Sequence, residues 1–225
     1  MKTLIFCTSY TDNDPQRYQN WINYYYPKIN ELGAEQLLLI DDGSKITDLD
    51  PKLKVIKAEG PLPDTLESSL NMIHFRDNLG RTALLTYPGW WRSFTFSVKL
   101  AQKYSFDKII HIESDYYVVS QKLIDYLKKI ESGWTALWSE TYRFPETAIQ
   151  VICKDAFADL EKFYNKGVEF YQENKFFAEQ KLPFTKVEKG FMGDRYGENP
   201  NLLPTDIPQN ADYVGQITRS RFLPG

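Results

Sequence analysis

The stretch "KIIHIESD" sets Glu113 and Asp115 at the end of an apolar run that reads as a buried strand. Carboxylates leaving a core must be solvated or paired. One residue apart, they can hold a divalent cation. Oxygen donors without a His or Cys cluster select a hard ion, Mg²⁺ or Mn²⁺, which keeps several waters and takes its other ligands from phosphate. Two further apolar runs end in chemically useful residues: Thr3 to Cys7 leads into Thr8, Ser9 and Tyr10, and "EQLLLI" leads into Asp41 and Asp42 of "DDGS". Tyr10 and the hydroxyls can stack on a base or hydrogen-bond it, and Asp41 or Asp42 can accept from a base N–H or from ribose hydroxyls. Together these are the parts of a nucleotide-diphosphate site, in which the cation would neutralise charge on a departing diphosphate.

The elements that must position these residues follow from apolar spacing. Short continuous apolar runs at Thr3–Cys7, "EQLLLI" and "KIIHI" predict strands covered on both faces, and Leu53–Ala58 and "NMIHFRD" read as a third and fourth strand. Tyr18, Trp21, Ile22, Tyr25, Ile29 and Leu32 recur at helical spacing after Asp14 and Pro15, with a kink expected at Pro27 and a stop at Gly33. Trp91, Phe94, Val98 and Ala101 share one face of a helix starting near Pro88, and Ser120 caps another built on Leu123, Ile124, Leu127 and Ile130. "TALWSE" and "AIQVIC" read as strands, and Phe157, Leu160 and Phe163 mark a helix. Strand and helix alternate through the first half. This predicts an α/β fold with a mainly parallel, Rossmann-like central sheet, and in such sheets ligands bind outside the carboxyl ends of the strands.

Bulk properties narrow the classes. The chain has 225 residues, enough for one α/β core and small for two, so a single domain over 1–225 is expected. The net charge of −3 and the lack of a dense basic run remove the footprint of a nucleic-acid binder. Cys7 and Cys153 lie in apolar runs without metal-site spacing and read as buried free thiols, which favours a reducing compartment. The N-terminal apolar run is too short for a signal-peptide core, and no stretch has the length of a membrane span. The expectation is a cytoplasmic protein, able to work at the cytoplasmic face of a membrane. Dehydrogenase, P-loop and Ser-His-Asp hydrolase classes lack their fingerprints.

"DDGS" after the second strand, "RDNLGR" from Arg76 to Arg81, the helix that follows, and "HIESD" in the place of an aspartate-any-aspartate motif resemble GT-A fold glycosyltransferases, especially family 2 type enzymes. The resemblance covers roughly the first half of the chain, and the order of its landmarks is its strongest feature. It implies that residues 1–118 bind the nucleotide-sugar, a UDP-sugar first, and that 119–225 bind a glycan, lipid or protein-linked acceptor. Thr8, Ser9, Tyr10 and Asp42 would contact the nucleoside, Asn78, Gly80 and Arg81 would flank the nucleotide-sugar, and Asp115 would ligate Mn²⁺ or Mg²⁺. Glu113 stands where the family has aspartate, reaching the ribose or sugar or assisting at the metal. The sequence departs from relatives that supply a late histidine to the metal, since its only histidines are His74 and His111.

An inverting transfer needs a carboxylate that takes the acceptor hydroxyl's proton. Asp194 in "KGFMGDRYGE" falls roughly where the family's chain order has its base; Glu140 is second and Glu188 third. Arg195, Arg219 and Arg221 are candidate phosphate donors. Trp90, Trp91, Trp134, Trp138 and Tyr142 offer flat faces for sugar rings; Trp91 fits the helix core, whereas Trp90, off that face, suits an acceptor site. His111 reads as a structural histidine. A sugar nucleotidyltransferase is an alternative, although its glycine-rich loop after the first strand is missing, and a catalytically inactive nucleotide- or carbohydrate-binding module is another.

Overall fold

The computed structural model describes residues 1–10, 15–45, 49–83 and 85–218. Strands β1 (Thr3–Ser9), β2 (Gln36–Asp41), β3 (Lys54–Lys57), β4 (Leu70–His74) and β5 (Lys108–Ile112) form the parallel half of an eight-stranded sheet. The other half contains β7 (Trp134–Ser139), β8 (Phe144–Cys153) and β9 (Lys186–Glu188), and the full order is β3-β4-β2-β1-β5-β8-β7-β9. Only β8 runs antiparallel to its neighbours. The fold is thus mixed α/β with a mostly parallel central sheet.

Alternate side chains of each inner strand enter opposite cores, which explains the unbroken apolar runs. Ile5 and Cys7 of β1, with Leu37 and Leu39 of β2, join Trp21, Ile22 and Tyr25 of helix α1 (Pro15–Tyr25) and Leu123 and Leu127 of α3 (Gln121–Lys129). Leu4, Phe6, Leu38 and Ile40 face the other way, against Trp91, Phe94 and Val98 of α2 (Pro88–Lys103) and Leu160 and Phe163 of α4 (Phe157–Tyr164). Cys7 and Cys153 are buried free thiols.

Several boundaries follow local chemistry. Pro88 occupies the first turn of α2, and the Ser120 hydroxyl accepts from the Leu123 N–H to cap α3. The expected kink at Pro27 is instead a helix end: α1 stops at Tyr25, and turns carry the chain to Gly33, whose φ is +68°. Proline cannot donate to the preceding turn, and this helix lacks the following turns that would bridge the gap. Asp14, expected as the cap of α1, lies outside the described residues.

The other end of α3 rests on a buried cation. Lys108 is 2% exposed, and its Nζ donates to the carbonyls of Leu127, Lys128 and Ile130 at 3.3, 2.8 and 3.1 Å. Those acceptors sit at the negative end of the helix, where a cation is favoured. Lys108→Met should therefore cost about 2–3 kcal/mol in urea unfolding, chiefly through orphaned carbonyls. A change below about 0.5 kcal/mol would show that this contact adds no net stability.

Beyond the main sheet, β6 (Tyr117–Val118), β10 (Gly193–Asp194) and β11 (Tyr213–Val214) form a small sheet in the order β10-β11-β6. Because β6 follows Asp115 almost at once, this sheet carries the late part of the chain to the exit of β5. Short helices α5 (Gly167–Glu173) and α6 (Ala178–Lys181) complete the described elements. Among the described residues no helix is long and apolar enough to cross a membrane.

Candidate active site

Three strand exits are joined by direct bonds. The Asp42 N–H donates to the Ser9 carbonyl at 2.8 Å, linking β2 to β1, and the Thr8 hydroxyl donates to Glu113 Oε2 at 2.7 Å, linking β1 to β5. Tyr10, 39% exposed, stands at the mouth of β1 beside them. The landmarks scattered through the first half of the sequence therefore share one edge of the sheet.

Asp41 and Asp42, expected at the nucleoside, both carry hydrogen bonds from the protein. Asp41 is fully buried; its Oδ2 accepts from the Ser44 N–H at 2.9 Å and lies 2.8 Å from His74 Nδ1, while Oδ1 takes the Ser44 hydroxyl. Both oxygens thus serve the turn. Asp42 Oδ2 accepts from the N–H groups of Leu79 and Gly80 at 3.2 and 2.8 Å and from Asn78 Nδ2 at 3.1 Å, and Oδ1 pairs with Arg92. Burial pushes the Asp42 carboxyl up in pKa against the pull of Gly80 and Arg92. This carboxylate shapes the 78–80 loop, so any approach of Asn78 and Gly80 to a ligand depends on it. Gly80 is left-handed at φ +52°, and a side chain at Gly89 would strike Asp42, which leaves only glycine where α2 meets the loop. Arg81 is exposed beyond the loop, its guanidinium 5.0 Å from the Tyr87 ring.

Arg92 was not anticipated. Its guanidinium lies over Phe75 at 4.0 Å and donates to the Asp77 carbonyl at 2.6 Å as well as to Asp42. Its signal in the sequence is a charge among the aromatic residues of the first turns of the helix, "GWWRSF".

Glu113 is held from three sides. Besides Thr8 it accepts from the Trp90 indole N–H, and His111 Nε2 lies 3.4 Å from Oε1. Burial alone would raise the Glu113 pKa, but the His111 ring and the Thr8 and Trp90 bonds outweigh it and the carboxyl lies below its usual range. Both Glu113 oxygens thus carry protein donors, Thr8 on Oε2 and Trp90 on Oε1. His111 is buried, with Nδ1 3.2 Å from the Thr147 carbonyl, in keeping with a structural histidine. The Trp90 ring stacks on Phe94 at 4.6 Å and its indole N–H serves Glu113. Trp91 is core, stacked on Tyr171 at 4.6 Å.

The Glu113 environment makes a pH prediction. A carboxyl whose folded pKa is depressed adds stability that is present above its ordinary value, 4.5, and lost as pH falls through the lower folded value. The stability gap between wild type and Glu113→Gln should be widest above pH 5 and narrow toward pH 3 in denaturant melts. A gap independent of pH would contradict the assignment.

Asp115 is 2% exposed, and its carbonyl accepts from the Ile217 N–H at 2.9 Å. Two residues earlier on the same segment, the Gly215 N–H donates to the Asp194 carbonyl at 2.8 Å. One short stretch therefore ties residue 115 to residue 194. Among the described residues no cluster of three or more His, Cys, Asp or Glu side chains could hold a metal ion. A hard cation at Asp115 would therefore have to draw most of its ligands from phosphate and water.

Asp194 is partly buried. The Arg195 N–H donates to its Oδ1 at 2.8 Å, and the Thr141 hydroxyl donates to Oδ2. Arg195 turns inward to Glu146, which is 1% exposed, with Nε–Oε2 2.9 Å and Nη2–Oε1 3.1 Å. Desolvation would lower the Arg195 pKa, but Glu146 more than reverses this and the guanidinium stays charged. The Tyr116 hydroxyl also donates to Glu146 at 3.2 Å. Gly193 and Gly215 make this possible, because a side chain at either would occupy the space of the Tyr213 or Tyr116 ring. Glu140 is exposed on the turn after β7, and Glu188 on β9 pairs with Lys186 at 2.9 Å. Neither shares the contacts of Asp194. Trp134 is buried and donates to Gln150 at 2.8 Å; Trp138 lies under Lys189, and Tyr142 is 36% exposed. Arg219 and Arg221 lie outside the described residues.

No protein-family model and no curated protein matches the sequence. Solved structures do match. A glycosyltransferase involved in the glycosylation of the major capsid of PBCV-1 aligns with a TM-score of 0.50 and 11% identity over 98% of this chain and 95% of its own. The galactosyltransferase LgtC, solved in complex with donor and acceptor sugar analogs, aligns with a TM-score of 0.54 and 12% identity over 95% of this chain and 86% of its own. At such identities the likeness is one of architecture. The chain has a GT-A-like glycosyltransferase fold.

Proposed function

We propose that this protein is a glycosyltransferase that grips a nucleotide-diphosphate sugar, a UDP-sugar first, at the joined exits of β1, β2 and β5. It transfers the sugar to a hydroxyl of a glycan, lipid or protein-linked acceptor presented on the Asp194 side. The observation that carries the reading is the connection of Thr8 to Glu113, and of Asp115 through residues 215–217 to Asp194, which brings donor-side and acceptor-side carboxylates to one edge of the sheet. The fold shared with two glycosyltransferases supports it.

In this reading Asp115 would hold Mn²⁺ or Mg²⁺, and the ion, when bound, supplies positive charge to the departing diphosphate. Glu113 fixes Thr8 and Trp90 around the donor. The Asp42–Arg92 pair presets the 78–80 loop, so that little ordering remains for binding to drive. Asp194, anchored through both oxygens, takes the proton of the attacking hydroxyl in an inverting displacement. Its two donors limit the directions from which that hydroxyl can approach.

The test is a panel of UDP-, GDP- and dTDP-sugars with Mn²⁺ or Mg²⁺, followed for release of the nucleoside diphosphate with and without simple glycoside acceptors. Acceptor-stimulated release from one nucleotide class supports the transferase. Binding of a nucleotide with no release from any member of the panel would indicate a fold that has lost its chemistry.

A further inference from the structure

Asp194 belongs to a strongly acidic cluster whose other members the transfer reaction itself does not require. The Arg195 guanidinium, paired with Glu146, also approaches Glu179 of α6 at 3.9 Å and Glu198 at 3.8 Å. Glu198 accepts from the Tyr142 hydroxyl, whose pKa is pushed up to about 12 chiefly by that bond. Among the described residues Arg195 is thus outnumbered by carboxylates, and both of its side-chain hydrogen bonds go to buried Glu146.

A second, independent observation concerns Tyr213. Its side chain is fully buried, and its hydroxyl finds no hydrogen-bond partner among the described residues. The ring crosses Gly193, the residue before Asp194, and Glu146 and Asp194 lie near enough to add to the effect of burial in raising its pKa. A buried hydroxyl seldom goes without a partner. Here no described group supplies one, which leaves the hydroxyl open to water or to a bound molecule.

Resting on the glycosyltransferase reading, we infer that Tyr213, Asp194, Glu198 and the half-exposed ring of Tyr142 form an acceptor subsite that takes a neutral or amino sugar and rejects an anionic one. Sugar hydroxyls donate to Asp194 and Glu198 beside the exposed part of the Tyr142 ring, which is itself held between Phe144 at 5.4 Å and the Arg195 guanidinium at 4.8 Å. Tyr213 donates to a ring or hydroxyl oxygen, directly or through one water. A uronic acid, a sialic acid or a phosphate-bearing acceptor brings like charge against the cluster, which costs affinity steeply in a partly desolvated site.

The test uses the full chain with UDP and Mg²⁺ and matched methyl glycosides in the gluco and galacto series, each as the neutral sugar and the uronic acid, titrated by ligand-observed NMR. At least one neutral glycoside should bind, and its uronic acid should bind about tenfold more weakly or worse. Glu198→Gln should narrow that gap. Tyr213→Phe should weaken the neutral sugar about fivefold without lowering the melting temperature, because no protein hydrogen bond is lost. A uronic acid that binds as tightly as its neutral partner overturns the inference, as does unchanged sugar binding in Tyr213→Phe. So does UDP binding with no glycoside bound at all. Failure to bind any nucleotide, by contrast, removes the glycosyltransferase reading itself.

Discussion

Asp194→Asn should lower sugar transfer by about 10²–10⁴-fold, the range expected when a general base is removed, while nucleotide affinity stays nearly unchanged. The substitution is close to isosteric and keeps the local bonds. Its amide oxygen can still accept from the Arg195 N–H, and its amide nitrogen can donate to the Thr141 hydroxyl, which reverses roles at no cost in geometry. Only the ability to take a proton is lost. Single-turnover rates beside nucleotide titrations separate the two quantities. Equal loss of both would mean that Asp194 shapes the site without performing its chemistry, and full activity would return attention to Glu140.

Arg195→Met should be the most damaging single change to stability, about 3–5 kcal/mol, because it strands the Glu146 carboxylate in a nearly water-free position. Among the described residues, Tyr116 and the Ala148 N–H would remain as its donors, at 3.2 and 3.1 Å. Against a total stability of about 5–15 kcal/mol for an ordinary domain, that is a large fraction. Glu146→Gln in the same chain removes the stranded charge and should recover part of the loss. Urea melts of the two single variants and the double variant give the coupling directly. Additive effects would show that the ion pair contributes little beyond its separate parts.

What could be read from the residues divides along physical lines. β1, β2 and β5 are covered on both faces, so their apolar runs are continuous, and Pro88 and Ser120 mark helix starts through local backbone chemistry that needs no knowledge of the rest of the chain. The second half resisted because β6, β10 and β11 are two residues long, too short for any periodicity, and owe their existence to pairing between residues about 20 to 100 positions apart. The site shows the same division. Carboxylates at strand exits were visible as types in a place, but their partners were not: nothing in "DDGS" distinguishes Asp41, spent on its own turn, from Asp42, spent on the 78–80 loop and Arg92. Glu146 left one faint trace, a carboxylate within the apolar strand "FPETAIQVIC", which called for a buried cation without saying that Arg195, 49 residues later, supplies it.

The central claim is a nucleoside diphosphate held at the exits of β1 and β5 by a cation on Asp115. Isothermal titration of UDP in Mn²⁺, in Mg²⁺ and in chelator, with wild type and Asp115→Asn, tests it most directly. The account predicts saturable binding that depends on the metal and falls at least about tenfold in Asp115→Asn, with the fold intact by circular dichroism. Binding of UDP that is equally tight in chelator and unaffected by Asp115→Asn would contradict it, as would no binding of UDP under any of the three conditions.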